Sequence, residues 1–219
     1  MKTISVPAAW LAIVSTLVTL AILASLHVLS PQFNPSFRMV SEYALGTYSW
    51  VLSLMFFTWA LSTWALLFAI RSQVKTLGGK IGLVFLFLAG VGEMMAGFFD
   101  IRTDLHAVAS LGIPFFSIAA VLISISLSRT KAWASSKKLL LWTANLTWVS
   151  ILLMVGTLAL MIYTFTQSGS GMDTTLREDI ILPHGVIGLV GWANRLLVLV
   201  YCVWTIKVAW IALKLQEKK

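Results

Sequence analysis

Asp100 and His106 stand out in this sequence because they bring a carboxylate and an imidazole together in an otherwise apolar chain. They lie six residues apart in the stretch GFFDIRTDLHAVAS. A carboxylate can orient an imidazole, and the imidazole can then act as a general base. His184 offers a second imidazole further along the chain. We therefore predict Asp100, His106 and His184 as candidate catalytic residues.

Five further residues are predicted to bind a ligand. Ser41, Glu42 and Tyr43 form a polar cluster directly before an apolar run, whereas Glu93 and Arg195 lie inside apolar runs. A charged side chain at the centre of a bilayer costs at least about 2.5–3.5 kcal/mol, so Glu93 and Arg195 are expected to face the protein interior. They could form the floor of a polar pocket, in which Arg195 pairs with an anionic head group. They could equally form a buried ion pair that fixes the helix register.

The histidines could alternatively ligate a metal. His27, His106 and His184, together with Asp100, supply the nitrogen and oxygen ligands that zinc accepts. The sequence has no HExxH motif or other pair of histidines four residues apart, so the ligands would have to converge from three separate helices. The main prediction therefore contains no metal, and zinc is kept as an alternative cofactor.

The composition indicates which elements must position these side chains. The chain has 219 residues, of which 59% are hydrophobic and 11% are charged, whereas a soluble domain has roughly 25% charged residues. Apolar runs of about 20 residues can each cross a bilayer as a helix. We predict an all-α membrane protein with one transmembrane domain over residues 1–219. Its six predicted spans cover residues 8–29, 47–70, 81–99, 106–127, 139–165 and 181–213.

Glycines near the two buried charges predict which spans approach each other closely. Gly90 and Gly92 precede Glu93 in the third span, and Gly191 precedes Arg195 in the sixth. Small residues at such positions let helix backbones come together in membranes. The pattern predicts close packing of the third and sixth spans.

The basic residues predict the orientation of the protein in the membrane. Short loops rich in Lys and Arg stay in the cytoplasm, so both termini are predicted to be cytoplasmic, with all three histidines at the outer face of the inner membrane. This topology and anionic lipid account for the net charge of +8, and we predict no nucleic-acid partner. Twelve of the sixteen basic residues fall on the predicted cytoplasmic side: Lys2, Arg71, Lys75, Lys80, Arg129, Lys131, Lys137, Lys138, Lys207, Lys214, Lys218 and Lys219.

Three stretches, SPQFNPSFRMVSEYALG, GFFDIRTDLHAVAS and GWANRL, carry a resemblance to a known family. They resemble the prokaryotic membrane family called domain of unknown function 998, and the resemblance covers nearly the whole chain. It implies a six-helix membrane fold, and the family has no settled biochemical role. By this resemblance, six residues are implied to matter for function: Ser41, Glu42, Tyr43, Asp100, His106 and Arg195.

A more distant analogy is with alkaline ceramidases, adiponectin receptors and related membrane hydrolases. Those proteins bind zinc through three histidines, with a serine and an aspartate nearby. The same residue types occur here at Ser41, Asp100, His106 and His184, and His27 could be the third histidine. Those proteins, however, have seven spans and an HxxxH pair, which this sequence lacks.

Taken together, the residues favour an outward-facing polar pocket that binds or processes a lipid or another amphipathic small molecule. Three alternatives are open. The protein could be a metal-dependent lipid hydrolase that uses the outer-face His and Asp residues, a small transporter or proton-coupled carrier with a Glu93–Arg195 pair, or a structural or assembly protein. The sequence leaves enzymatic activity undecided and identifies neither a substrate nor an oligomeric state.

Overall fold

The computed structural model describes residues 4–169 and 180–217, and these residues form helices joined by turns, with no β-strand among them. The prediction of an all-α fold is therefore confirmed. Lys2, Lys218 and Lys219, which contributed to the predicted orientation, lie outside the described residues. Two short 3-10 helices, Val40–Leu45 and Lys131–Ser136, accompany the α-helices α1 (Val6–Leu29), α2 (Ser49–Ile70), α3 (Leu77–Phe98), α4 (Asp104–Ala109), α5 (Gly112–Ser128), α6 (Lys137–Gln167) and α7 (Val190–Glu217).

The predicted number of membrane spans is also confirmed. In the described part of the chain, six helical segments are long and apolar enough to cross a membrane. The fourth of them, Asp104–Ser128, is divided into α4 and α5. Pro114 lies in the first turn of α5, where its missing N–H removes no intrahelical hydrogen bond. The interruption therefore coincides with a position at which proline favours the start of a helix.

The last helix begins later than the sequence predicts. The predicted span starts at residue 181, but residues 180–189 form no helix and contain a turn at 184–185, and α7 starts at Val190. Gly185, in that turn, has a φ of 88°, a left-handed conformation that glycine adopts without steric cost. Arg195 consequently lies close to the beginning of α7, about 8 Å along it at a rise of about 1.5 Å per residue.

The six spans pack in chain order into a closed ring. α1 packs on α2, α2 on α3, α3 on α5, α5 on α6 and α6 on α7, and α7 returns to α1. α2 also contacts α7 across the ring. Aromatic side chains fill the centre, where Phe116 stacks on Tyr201 with the ring centroids 4.4 Å apart. The Tyr201 hydroxyl donates to the carbonyl of Ile113 and accepts from Ser117, so its polar end is satisfied.

The glycines do not join the third and sixth spans. A Cβ at Gly92 of α3 would lie 2.6 Å from the carbonyl oxygen of Ala109 and 2.8 Å from Cα of Gly112. A Cβ at Gly191 of α7 would lie 2.5 Å from the carbonyl oxygen of Pro35. Gly92 therefore contacts the fourth span and Gly191 contacts the connection between α1 and α2, so the predicted packing of the third and sixth spans through these glycines is wrong.

The connection between α1 and α2, residues 30–48, is a folded part of the core. Its side chains Phe33 and Tyr43 are each only 1% exposed, and their rings meet edge-on with centroids 5.3 Å apart. Arg102, between α3 and α4, donates to the carbonyl of Ala44 in this connection over 2.6 Å. We call the end of the bundle that carries residues 30–48, 99–111 and 180–189 the loop face.

Candidate functional site

A cavity of about 500 Å³ lies inside the ring, near the loop face. Its walls come from the connection between α1 and α2 and from α2 to α7, and most of the lining side chains are apolar. The lining residues with a hydroxyl, carboxyl, amide or imidazole group are Ser41, Glu93, His106, Ser110, Asn194 and Tyr201. The cavity thus brings together three of the predicted site residues, which are Ser41, Glu93 and His106. Their functional roles stay predictions.

Glu93 places a carboxyl group on the wall of this cavity. It lies in α3, five residues before the helix ends at Phe98, and its side chain is only 8% exposed. The hydroxyl of Thr63 in α2 neighbours the carboxyl group. Oε2 of Glu93 has no hydrogen-bond partner among the described residues. A buried polar atom without a partner is costly, so this oxygen is available to a bound molecule.

His106 presents its imidazole to the same cavity in a defined tautomer. Its Nδ1 lies 2.9 Å from the carbonyl oxygen of Phe99. A carbonyl oxygen can only accept, so Nδ1 carries the proton and Nε2 of the neutral ring keeps its lone pair. The geometry therefore leaves Nε2 able to accept a proton or a hydrogen bond.

Asp100 does not orient His106 as the sequence predicts. Its carboxylate pairs with Arg102, with Oδ2 lying 3.1 Å from Nε and 3.0 Å from Nη2, and Oδ1 accepts from the backbone N–H of Arg102. Nδ1 of His106 donates to the carbonyl of Phe99 and not to Asp100. Asp100 fixes the turn after α3, and the predicted Asp100–His106 pair is wrong.

His184 lies apart from the residues that line the cavity. It is exposed and sits in the turn before α7, next to Gly185. The prediction placed His184 at the start of the sixth helix, but that helix begins at Val190. The late start of α7 therefore leaves His184 in a surface turn.

Arg195 is bound within the protein rather than to the cavity. From α7, its Nε donates to Nε2 of His27 over 2.7 Å, and its Nη2 donates to the hydroxyl of Tyr43 over 3.0 Å. Its Nη1 donates to the carbonyls of Arg38 and Gly191 over 2.7 and 3.0 Å. We call these bonds the Arg195 network. All three nitrogens of the guanidinium are thus used to hold α1 and the connection between α1 and α2 against α7.

The predicted ion pair between Glu93 and Arg195 is not formed. No salt bridge joins them among the residues that the structure describes, and Arg195 does not line the cavity that contains Glu93. Both side chains are buried, as expected for charges inside apolar spans. Arg195 bonds within the Arg195 network because the late start of α7 places it next to the loop face, whereas Oε2 of Glu93 has no hydrogen-bond partner among the described residues. The predicted Glu93–Arg195 pair, on which the carrier alternative depended, is therefore wrong.

His27 acts as a hydrogen-bond acceptor in the Arg195 network. Its Nδ1 donates to the carbonyl of Leu23 over 2.8 Å, which leaves Nε2 to accept from Arg195. Both ring nitrogens are therefore occupied, and neither can ligate a metal without breaking one of these bonds. In the described part of the chain, no group of three or more His, Cys, Asp or Glu residues could hold a metal ion. The alternative zinc site at His27, His106, His184 and Asp100 is thus not assembled.

Glu42 helps to shape the connection between α1 and α2. Its Oε2 lies 2.7 Å from Nε of Arg38, and its Oε1 accepts from the backbone N–H of Met39 over 2.6 Å. Burial raises the pKa of the Glu42 carboxyl above its ordinary value, although the Met39 hydrogen bond and the charges of Arg38 and Arg195 act in the opposite direction. Glu42 and Tyr43 do not line the cavity, and their hydrogen bonds hold the connection that carries Ser41.

Asn194, a residue that was not predicted from the sequence, both supports and lines the site. Its Oδ1 accepts from the backbone N–H of Val40 over 2.9 Å, and its side chain lies on the cavity wall. The GWANRL stretch contained the signal, because Gly191, Asn194 and Arg195 all face the same connection. The apolar lining residues Ile151 and Met154 of α6 were also missed, and no feature of the sequence separates them from ordinary core residues.

The chemistry of the cavity is that of an apolar chamber with a few hydrogen-bonding groups. Among the described residues that line it there is no Lys or Arg, and Glu93 is its one carboxyl group. Such a chamber can take up an apolar body and bind a polar group at one or two points. The absence of a basic lining residue removes the predicted contact between Arg195 and an anionic head group.

A closed ring of six apolar helices that contains a mainly apolar cavity defines a multi-pass α-helical membrane protein. A family model with the description Protein of unknown function (DUF998) matches residues 13–211 of the chain. The chain belongs to this family, as its three motifs predicted. No curated protein and no solved structure matches it.

Proposed function

We propose that this membrane protein binds a lipid or another amphipathic small molecule in the cavity near its loop face. The observation that carries the proposal is a cavity of about 500 Å³ with a mainly apolar lining and a few polar groups. Small-molecule sites typically have volumes of about 300–1,000 Å³ and this same division between apolar walls and a few placed polar groups. The size and lining therefore support a ligand with an apolar body and a small polar part.

The distribution of the lining residues supports a defined orientation for this ligand. Phe56, Ile113, Leu197 and Val198 offer apolar surface from three helices. Ser41 offers a hydroxyl from the connection between α1 and α2. The apolar body would pack between the helices, while its polar end would exchange hydrogen bonds with the protein, since burial of an unsatisfied polar group is costly.

The part of α6 beyond Ser150 supports access of the ligand to the cavity from the bilayer. Beyond Ser150 no side chain of α6 is buried in the described residues, yet Ile151 and Met154 line the cavity. α6 therefore covers the cavity with its least buried part. A molecule dissolved in the bilayer would reach the cavity past this part of α6 without crossing the tightly packed contact between α3 and α5.

For the orientation, we propose that the loop face points outward, with both termini in the cytoplasm and the protein in the inner membrane. The support is the gathering of Lys and Arg at the connections opposite the loop face, such as Arg71 and Arg129. Single cysteines introduced at Thr47 and Ser72, in a variant with Cys202 replaced by Ala, test this in intact cells. A membrane-impermeant thiol reagent should label the cysteine at position 47 and not the one at position 72, and the reverse pattern would contradict the orientation.

A cavity-filling variant tests the proposed ligand binding. Ala96 of α3 lines the cavity, so Ala96→Phe should occupy the space with a side chain. Val84→Phe, on the exposed side of the same helix, is the matched control. The measurement is the amount of lipid or other amphiphile that remains bound to purified protein, identified by mass spectrometry. We expect Ala96→Phe to lower that amount by about tenfold or more and Val84→Phe to leave it unchanged. Equal amounts in both variants, with both folded, would contradict the proposal.

His106 supports a second role, which is chemical processing of the bound molecule. Its Nδ1 proton is fixed on the carbonyl of Phe99, so its Nε2 can act as a general base on a molecule in the cavity. Incubation of the protein with the molecule that it retains would show this as turnover. We expect His106→Gln to abolish turnover while binding persists. Retention of the unchanged molecule by the wild-type protein would restrict the function to binding.

A further inference from the structure

We propose that the cavity selects an amphipathic amine, a molecule with an aliphatic body and a protonated amino group that binds the Glu93 carboxyl. This inference deepens the proposed function and rests on it, because it assigns the polar part of the ligand. Its basis is the set of groups that the described residues place on the cavity wall: a carboxyl oxygen without a hydrogen-bond partner, no basic side chain, and several aromatic rings.

The Glu93 carboxyl is the first of these observations. The side chain is more than nine-tenths buried, it lines the cavity, and its Oε2 has no hydrogen-bond partner among the described residues. A buried carboxylate is stable only when it is paired and hydrogen-bonded. A ligand ammonium would supply both the opposite charge and the N–H donors. Its binding beside Glu93 would therefore be favourable.

The lack of a competing cation is the second observation. No Lys or Arg belongs to the described residues that line the cavity. Arg195, the closest candidate from the sequence, directs its nitrogens at His27, Tyr43 and backbone carbonyls instead. No cation among the described lining residues therefore neutralises Glu93. An anionic amphiphile would find no cation to pair with in the described lining, and its negative charge would lie against the Glu93 carboxyl.

Aromatic rings that line the same cavity as Glu93 provide the third observation. Trp59 lines the cavity, and its ring lies 6.5 Å from that of Phe56 and 6.3 Å from that of Tyr201, both of which also line it. Ring faces of this kind attract ammonium groups, and Trp is the strongest of them. Nε1 of Trp59 is buried and has no hydrogen-bond partner among the described residues, so it can donate to an oxygen beside the amine.

Photo-crosslinking with three matched probes tests the proposal. The probes share one alkyl chain with a diazirine and end in an amine, an alcohol or a carboxylate. Each is added to the wild-type protein in lipid nanodiscs, and labelled peptides are identified by mass spectrometry. We expect the amine to label cavity residues at a concentration about tenfold lower than the alcohol, which is about 1.4 kcal/mol, and the carboxylate to label them least. This comparison requires no variant, so it stands even if a substitution impairs folding.

Glu93→Gln is the variant that assigns the selectivity. It keeps the shape of the side chain and removes its charge, so we expect amine labelling to fall to the level of the alcohol. Glu217→Gln, at the far end of α7, is the matched control and should keep the preference. If Glu93→Gln keeps the preference for the amine, Glu93 does not select it and the inference is overturned.

The same probes separate this inference from the proposed function and identify the source of the amine. Equal labelling of the cavity by all three probes, blocked by Ala96→Phe, would overturn the amine and leave amphiphile binding intact. No cavity labelling by any probe would overturn both. Nanodiscs with and without an ethanolamine lipid decide the source. If that lipid competes with the amine probe, the natural ligand is a lipid with an amino head group. If the lipid does not compete, the ligand is a free long-chain amine.

Discussion

Arg195 of α7 donates a hydrogen bond from Nε to Nε2 of His27 in α1 over 2.7 Å. The bond joins the last helix of the ring to the first, at the point where the connection between α1 and α2 crosses them. Because the backbone carbonyl of Leu23 already accepts from Nδ1, His27 must be the neutral tautomer that accepts from the guanidinium. Both residues were predicted for a site, and in the structure their hydrogen bonds support the wall that carries Ser41.

Replacement of His27 should weaken the protein measurably. His27→Phe leaves Nε of Arg195 in a buried position without its acceptor, so we expect a loss of about 1–3 kcal/mol in the free energy of unfolding in detergent. His184→Phe is the matched control, because His184 is exposed in a turn, and we expect a change within about 0.5 kcal/mol. A similar effect of the two substitutions would argue against a structural role for the Arg195–His27 bond.

Two glycine-to-alanine substitutions should have opposite effects. A Cβ at Gly191 would lie 2.5 Å from the carbonyl oxygen of Pro35 and 2.6 Å from that of Arg38, and backbone atoms cannot move aside cheaply. We expect Gly191→Ala to destabilise the protein by about 1–3 kcal/mol. Gly156, inside α6, has nothing within 4 Å of an added Cβ, so Gly156→Ala should stabilise by up to about 1 kcal/mol. Thermal unfolding in one detergent measures the stability of both variants. A loss of stability in Gly156→Ala would contradict the second prediction.

Asp100→Asn should change little. Its carboxylate pairs with Arg102 at the surface, where ion pairs contribute about 0–1 kcal/mol. We expect a loss of stability below about 1 kcal/mol and unchanged retention of the bound amphiphile. His106→Phe, on the cavity wall, should lower that retention under the same conditions. Loss of binding in Asp100→Asn to the same degree as in His106→Phe would place Asp100 in the binding site after all.

Glu42 should make the stability fall as the pH rises. Because burial raises the pKa of its carboxyl in the folded protein, the folded state holds this proton more tightly than the unfolded state. Its contribution to stability is therefore fully present below the unfolded pKa of 4.5 and is lost as the pH rises through the higher folded pKa.

Glu42→Gln isolates this effect. Unfolding midpoints of the wild type and the variant are measured across a pH series in one detergent. We expect the stability of the wild type relative to the variant to decrease above pH 4.5. An increase over that range would mean that the Arg38 ion pair and the Met39 hydrogen bond outweigh burial.

Part of the site could be anticipated from residue types alone. Glu93, His106 and Ser41 were predicted because ionisable or hydroxyl groups next to apolar runs are unusual, and all three line the cavity. Asp100 was predicted by the same reasoning, yet its carboxylate pairs with Arg102, two residues away. Residue type indicates that a polar group needs a partner but does not say which partner. A neighbour in the chain and a group on another helix are equally compatible with the sequence.

The sequence by itself determined the all-α membrane fold, its six spans and the family, because apolar length and composition are properties of each segment taken alone. The tertiary structure decided where α7 begins, and with it the position of Arg195. It also decided that Arg195 bonds to His27 and not to Glu93, and that Ile151 and Met154 of α6 complete a cavity. These outcomes depend on the backbone path of residues 180–189 and on distances between segments far apart in the chain. Such distances are set by packing, in which a shift of one helical turn changes every partner of a side chain.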